Sequence, residues 1–84
     1  AALYWLGNAQ YASRDYKGAV ESHRRLVTQF PDHPRAPEAQ LAIANSQIEL
    51  KDTRSARRTL EDLIKTRPDS EAAGAARERL SRLR

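Results

Sequence analysis

The chain is 84 residues long, which limits it to one small domain. It contains no cysteine, which excludes disulfide bonds and thiolate chemistry, and no stretch approaches the ~20 apolar residues of a membrane span. Lys and Arg number 15 against 11 Asp and Glu, a formal net charge of +4, but the two signs are mixed along the chain and favour a solvated charged surface. Because methionine is also absent, we expect the chain to be a piece of a longer protein.

Apolar residues recur at helical spacing along the whole chain, and this pattern predicts five helices and no strand. Asp15, Asp52 and Ser70 precede the second, fourth and fifth helices and are suited to cap their first turns. Prolines follow the second and fourth helices and stop them. The predicted helices span residues 2–13, 16–30, 35–50, 54–66 and 71–83.

The chain repeats itself with a period of 37 residues. Asp15 recurs as Asp52, and Leu6 falls in line with Ile43 and Leu80. A period of this size is typical of stacked helical hairpins, in which each unit covers the apolar face of its neighbour. We therefore expect an all-α, right-handed superhelical stack made of two full units, at about residues 2–33 and 35–69, and a capping helix at about residues 70–83.

Small residues are expected where two helices cross closely, because a larger side chain would push the helix axes apart. Four such positions are predicted: Gly7, Ala19, Ala44 and Ala56. Leu6 and Phe30 are predicted to lie on the apolar faces of the first two helices. His23 stands where a large apolar residue is expected, and we interpret it as a packed, hydrogen-bonded imidazole.

The spacing of these residues resembles the tetratricopeptide pattern W-x2-L-G-x2-Y, A-x3-F and P. The matching positions of the first unit are Leu3, Leu6, Gly7, Gln10, Ala19, His23 and Pro31. The match has two departures. Aromatic residues stand one place later than the pattern requires, at Tyr4 and Tyr11, and the period is 37 residues instead of 34.

More narrowly, YWLGNAQYASRDYKGAV, FPDHPRAPEAQLAIANSQIEL and RPDSEAAGAARERLSRL resemble the C-terminal tetratricopeptide domains of the YbgF family of Tol-Pal-associated proteins, also called cell division coordinators CpoB. The resemblance covers essentially the whole chain. It implies a periplasmic protein of Gram-negative bacteria that binds TolA and couples peptidoglycan synthesis to outer-membrane constriction. It also implies a trimerising coiled coil upstream and a location at the envelope without membrane insertion.

The first helices of successive units are expected to line a concave inner surface. Tyr4, Asn8 and Tyr11 share one helix face, and the equivalent residues one period later include a second asparagine, Asn45. Asparagine amides can satisfy a peptide backbone, while aromatic and apolar neighbours can bury its side chains. The predicted partner-binding residues are Tyr4, Asn8, Tyr11, Leu41, Asn45, Ile48 and Glu49.

Each of these residues has packing as its alternative role, and Trp5 is compatible with the core, the groove or an exposed edge. A clamp for a carboxyl terminus is disfavoured, because only Asn8 and Arg79 match its usual residues. No catalytic, metal or cofactor site is predicted. His23 and His33 lack the spacing of zinc ligands, adjacent acids diverge by about 100° around a helix, and no glycine-rich phosphate loop is present.

Nucleic-acid binding is also disfavoured, although arginines cluster in the fourth and fifth helices. Arg57 and Arg58 precede Glu61 and Asp62 by four residues, where ion pairs can form, and no aromatic residue interleaves with the arginines. The sequence therefore predicts a non-catalytic scaffold for a protein partner. The alternative is a homo-oligomer that assembles through the end helix at Leu80 and Leu83.

Overall fold

The computed structural model describes residues 2–83, which form five α-helices and no strand. Each helix packs against the next one in the chain, and the third also contacts the fifth, so the hairpins form a stack. The predicted fold is confirmed, and every predicted helix end lies within one residue of the observed one. The helices are α1 (Ala2–Ala12), α2 (Tyr16–Gln29), α3 (Ala36–Glu49), α4 (Thr53–Thr66) and α5 (Glu71–Arg82).

Side-chain caps fix three of the helix starts as predicted. Asp15, Asp52 and Ser70 each accept a hydrogen bond from the backbone N–H three residues later, at 3.1, 3.2 and 3.0 Å. The residues before the two aspartates, Arg14 and Lys51, have φ angles of 68° and 66°, so the chain reverses through the left-handed region in both units. The repeat is therefore present in the turns as well as in the helices.

The buried core follows the same repeat. Leu26 and Leu63, one period apart, are both fully buried. Leu26 packs against the small residues Ala36 and Ala39 at the start of α3, and Leu63 packs in the same way against the start of α5. Burying a leucine side chain stabilises the fold by roughly 1.5–3 kcal/mol, so each interface between units rests on equivalent contacts.

Two residues predicted for the apolar faces lie at the surface instead. Phe30 is 49% exposed, because α2 ends one residue earlier than predicted and Phe30 becomes its C-cap. Leu6 is 50% exposed, whereas its equivalent Ile43 is 5% exposed. The difference follows from position in the stack, because α3 has α2, α4 and α5 around it while α1 packs mainly against α2.

The four predicted crossing points are all buried. Gly7 is the tightest, because a Cβ atom at this position would overlap the imidazole ring of His23. Its equivalent in the second unit is Ala44, which packs against Leu60 instead of a histidine. His23 therefore requires a glycine at position 7, because its ring fills the space that the methyl group of Ala44 occupies in the second unit.

The predicted ion pairs of Arg57 and Arg58 with the acids four residues later do not form. Arg58, Glu61 and Asp62 are exposed and Arg57 is half-buried, and a pair between two side chains of one exposed helix gains little. Within residues 2–83 the ion pairs are Arg35–Glu38 at 3.2 Å and Arg82–Glu78 at 3.1 Å.

Candidate partner-binding groove

Five of the seven predicted partner-binding residues meet in one groove between α1 and α3. They line a cavity of about 360 Å³, which we call the inner groove. His23, Glu38 and Ala42 complete its walls. The predicted residues of the inner groove are Tyr4, Asn8, Tyr11, Leu41 and Asn45.

The other two predicted residues lie beside the inner groove. Ile48 lines a second cavity of about 410 Å³ between α3 and α5, together with Ala75 and Arg79. The Nη1 group of Arg79 donates to Oδ1 of Asn45 at 2.8 Å, so the two cavities share a wall. Glu49 is exposed and lines neither cavity, but its charge acts on Tyr11 across the groove.

Both asparagines of the inner groove are held through their carbonyl oxygens. Oδ1 of Asn8 lies 3.1 Å from Nε2 of His23, and Oδ1 of Asn45 accepts from Arg79. Within residues 2–83, neither Nδ2 group donates to another protein group, and both side chains are half-buried. A carboxamide whose oxygen is fixed has its two N–H donors oriented, so the groove offers two sets of donors to a ligand's carbonyl oxygens.

The end of the groove near the start of α1 is built from stacked and charged groups. The hydroxyl of Tyr4 donates to Oε2 of Glu38 at 2.9 Å, and the same oxygen accepts from Arg35 at 3.2 Å. The Arg35 guanidinium lies over the rings of Tyr4 and Trp5, 5.0 and 5.2 Å from their centroids. Trp5 is 58% exposed, which excludes the core and leaves it at the edge of this end.

The opposite end of the groove is marked by Tyr11. Its ring packs edge to face on Tyr16, with the centroids 5.3 Å apart. Burial raises the pKa of the Tyr11 hydroxyl, the charge of Glu49 raises it further, and Arg79 opposes both effects. Tyr11 therefore stays a neutral phenol that can donate a hydrogen bond to a ligand.

The floor of the groove contains a buried imidazole. His23 is fully buried, and burial lowers its pKa, against the opposite effect of the nearby carbonyls of Tyr4 and Ala19. The interpretation of His23 as a packed, hydrogen-bonded side chain is confirmed. His33 lies in the turn before α3, where its Nδ1 accepts from the N–H of Arg35 at 3.0 Å.

The structure adds two residues that the sequence reading left out of the groove, Glu38 and His23. Glu38 precedes Leu41, Asn45 and Ile48 by three, seven and ten residues, so helical spacing alone places it on the same face of α3. His23 belongs to the second helix of its unit, and only the contact with Asn8 reveals its place under the groove.

The described part of the chain contains no group of three or more His, Cys, Asp or Glu residues that could hold a metal ion. None of its helices combines the length and the apolar character needed to cross a bilayer.

Stacked helical hairpins with a groove along their first helices define a class of helical-repeat interaction domains. The sequence model of the tetratricopeptide repeat matches residues 10–80, and the chain belongs to the tetratricopeptide repeat family. Domains of this family are protein-interaction modules and are generally non-catalytic. No curated protein matches the chain.

Proposed function

We propose that this domain is a non-catalytic scaffold that binds an extended segment of a protein partner in the inner groove. The observation that carries the proposal is the pair of oriented carboxamides, Asn8 and Asn45, whose N–H groups have no partner among residues 2–83. An extended peptide presents carbonyl oxygens along its length, and these are the acceptors that two such amides suit. The aromatic ring of Tyr11 and the aliphatic side chain of Ile48 provide the apolar surface beside them.

The groove also favours a partner of particular charge. The helices α1 and α3 carry no Lys or Arg, and their charged residues are Glu38 and Glu49. Glu38 is already bonded to Arg35, whereas Glu49 is exposed and forms no ion pair in the described chain. At the Tyr11 end of the groove Arg79 opposes the charge of Glu49 but is bonded to Asn45, so a basic residue of the bound segment would be placed best beside Glu49.

The finer part of the proposal is a place in the YbgF/CpoB family. The support for it is the resemblance of stretches such as YWLGNAQY and FPDHPRAPEA to those domains. On this proposal the partner is TolA, the location is the periplasm, and the role is to coordinate peptidoglycan synthesis with outer-membrane constriction during cell division. The two repeat units and the capping helix would then be one domain of a longer, trimeric protein.

The test is an amide chemical-shift titration of the domain with the periplasmic part of TolA. We expect shifts clustered at Asn8, Tyr11, Asn45 and Ile48. The variant Asn45→Asp keeps the acceptor for Arg79 but removes the N–H donors, and we expect it to weaken binding about tenfold or more. Its matched control is Gln29→Glu, the same amide-to-acid change at an exposed position of α2, which should leave affinity nearly unchanged.

The outcomes test the groove scaffold and the YbgF/CpoB role separately. Shifts at the groove with TolA support both. If TolA causes no shift but another peptide shifts the groove residues, the scaffold stands and the family role is wrong. Shifts confined to α5, or equal losses in Asn45→Asp and Gln29→Glu, would reject the groove itself.

Self-association through α5 has less support. Leu80 and Leu83 are half-buried and pack against the core formed by α3, α4 and α5, so the end helix presents little free apolar surface. Sedimentation equilibrium tests this alternative, because a groove-binding monomer keeps its mass when the domain concentration is raised.

A further inference from the structure

The positive charge of the domain is concentrated on its outer helices. Together α2 and α4 carry seven Lys and Arg against three acidic residues. The inner helices differ, because α1 has no charged residue and α3 has two acids and no base. The net charge of the chain is therefore divided unequally between its two faces, with the excess of bases on the face opposite the inner groove.

A slot opens on this outer face between α2 and α4, with α3 as its floor. Its volume is about 310 Å³, and we call it the outer slot. Arg24 of α2 and Arg58 of α4 line its two sides, and Asp62 is the acid among its described lining residues. Neither arginine takes part in the ion pairs found within residues 2–83. The slot thus holds two guanidinium groups to which no carboxylate of the described chain is bound.

The floor of the outer slot adds a third donor. Gln47 is 6% exposed, and its Oε1 accepts a hydrogen bond from the hydroxyl of Thr59 at 2.7 Å. Its Nε2 group has no hydrogen-bond partner in the described chain, yet the residue lines the slot. Because the Nε2 group still reaches solvent through the slot, a ligand that enters the slot can accept from its N–H groups.

We propose that the outer slot binds a carboxylate side chain of an acidic, extended protein segment. A carboxylate has the acceptors to bond the two arginines and the Gln47 amide together, and bonds of this kind are among the strong ones in proteins. The slot is recessed, so the flat surface of a bilayer cannot reach Gln47. None of its described lining residues is aromatic, so nucleic-acid bases find no ring there to stack on.

This site is separate from the inner groove, and its test does not depend on that groove. The probe is a hexapeptide of Glu with both ends blocked, and a hexapeptide of Gln is the neutral control. Both are titrated into the domain at ~0.15 M salt while amide shifts are followed. We expect the Glu peptide to shift the side-chain amide of Gln47 and the backbone amides of Ser55 and Thr59, and the Gln peptide to shift neither.

Matched variants distinguish binding in the outer slot from general attraction between opposite charges. Arg58→Gln should weaken binding of the Glu peptide about tenfold, whereas Arg54→Gln removes the same charge from the same helix outside the slot and should change it less than about twofold. Gln47→Glu keeps the acceptor for Thr59 but places a negative charge on the floor, so binding should be lost. Thermal unfolding followed by circular dichroism checks that each variant is folded.

The proposal is overturned if Arg54→Gln and Arg58→Gln weaken binding equally, since binding then follows total charge. It is also overturned if the Glu peptide shifts residues of α5 or the inner groove instead, or if anionic phospholipid vesicles are bound and the peptide is not. A variant that unfolds is replaced by Arg24→Gln, with Arg25→Gln as its control on α2.

Discussion

The two repeat units use the same asparagine in different ways. In the first unit Asn8 is bonded to His23 of its own hairpin, whereas in the second unit Asn45 is bonded to Arg79 of the following helix. The reason is that Leu60 occupies the place of His23 one period later and offers no hydrogen bond. What recurs between the units is the oriented carboxamide, and the side chain that orients it differs.

A second polar contact is the same in both units. The hydroxyl of Ser22 donates to Gln10 at 2.6 Å, and the hydroxyl of Thr59 donates to Gln47 at 2.7 Å. Both bonds join the first and second helices of a hairpin on the side away from the asparagines. The hydroxyl–glutamine bond therefore builds each hairpin, whereas the bond to the asparagine varies with the neighbouring side chains.

The largest expected effects test whether the two cores are equivalent. Leu26→Ala and Leu63→Ala each remove a fully buried side chain, and each should destabilise the domain by about 2–5 kcal/mol. Urea unfolding followed by circular dichroism measures both. Leu50→Ala, at a residue that is 37% exposed, is the control and should cost less than about 1.5 kcal/mol. If one of the two variants keeps nearly the full free energy of unfolding, the cores are not equivalent.

The pairing of residues 7 and 23 allows one unit to be converted into the other. Gly7→Ala should cost about 1–3 kcal/mol, because the added methyl group overlaps the ring of His23. The double variant Gly7→Ala with His23→Leu reproduces Ala44 and Leu60 of the second unit and should recover much of that loss. A double-mutant cycle in urea measures the coupling. Additive costs would show that the two sites do not interact.

The helix caps should contribute equally in both units. Asp15→Ala and Asp52→Ala each remove the acceptor of one backbone N–H, and each should cost about 1 kcal/mol. The hydroxyl of Ser55 and, to a smaller extent, its N–H hold the pKa of Asp52 below its usual range. Thermal unfolding compares the two variants, and a difference larger than the error between them would mean that one turn is held by other contacts.

The last effect is a dependence on pH that belongs to the first unit alone. Because burial lowers the pKa of His23, the unfolded chain binds a proton more readily than the folded one. Stability is therefore fully present above a pH of about 6.5 and falls as the pH drops below it, by at most about 1.4 kcal/mol per pH unit. His23→Leu should remove this loss between pH 7.5 and pH 5.5, and urea unfolding of both proteins at each pH measures it.

An unchanged loss in His23→Leu would assign the pH dependence to other groups. His33 is present in both proteins, so any contribution that it makes cancels in the comparison.

The fold was largely predictable because its determinants are local. Helical spacing and the caps at Asp15, Asp52 and Ser70 each depend on neighbours within one or two turns. The 37-residue period then placed Leu26 and Leu63 in equivalent interfaces. The repeat also led to one wrong prediction, that Leu6 is buried like its equivalent Ile43. Leu6 is exposed because burial depends on the helices that surround each copy.

The groove was only partly predictable, because its side-chain partners are distant in sequence. The spacing within α1 and α3 brought the asparagines to one face, but the bond from Arg79 to Asn45 spans 34 residues, as does the bond from Tyr4 to Glu38. Arg67 joins the turn after α2 in a similar way, donating to the carbonyl of Pro31 at 2.8 Å. No periodicity in the sequence specifies such contacts, which depend on how the helices stack.

The unequal charge of the inner and outer helices also affects how the domain approaches its surroundings. With bases on α2 and α4 and acids on α3, the molecule has an electric dipole across its thickness. A negatively charged surface would attract the outer helices first and turn the domain before any contact forms. The inner groove would then face away from that surface, open to a partner diffusing in from the other side.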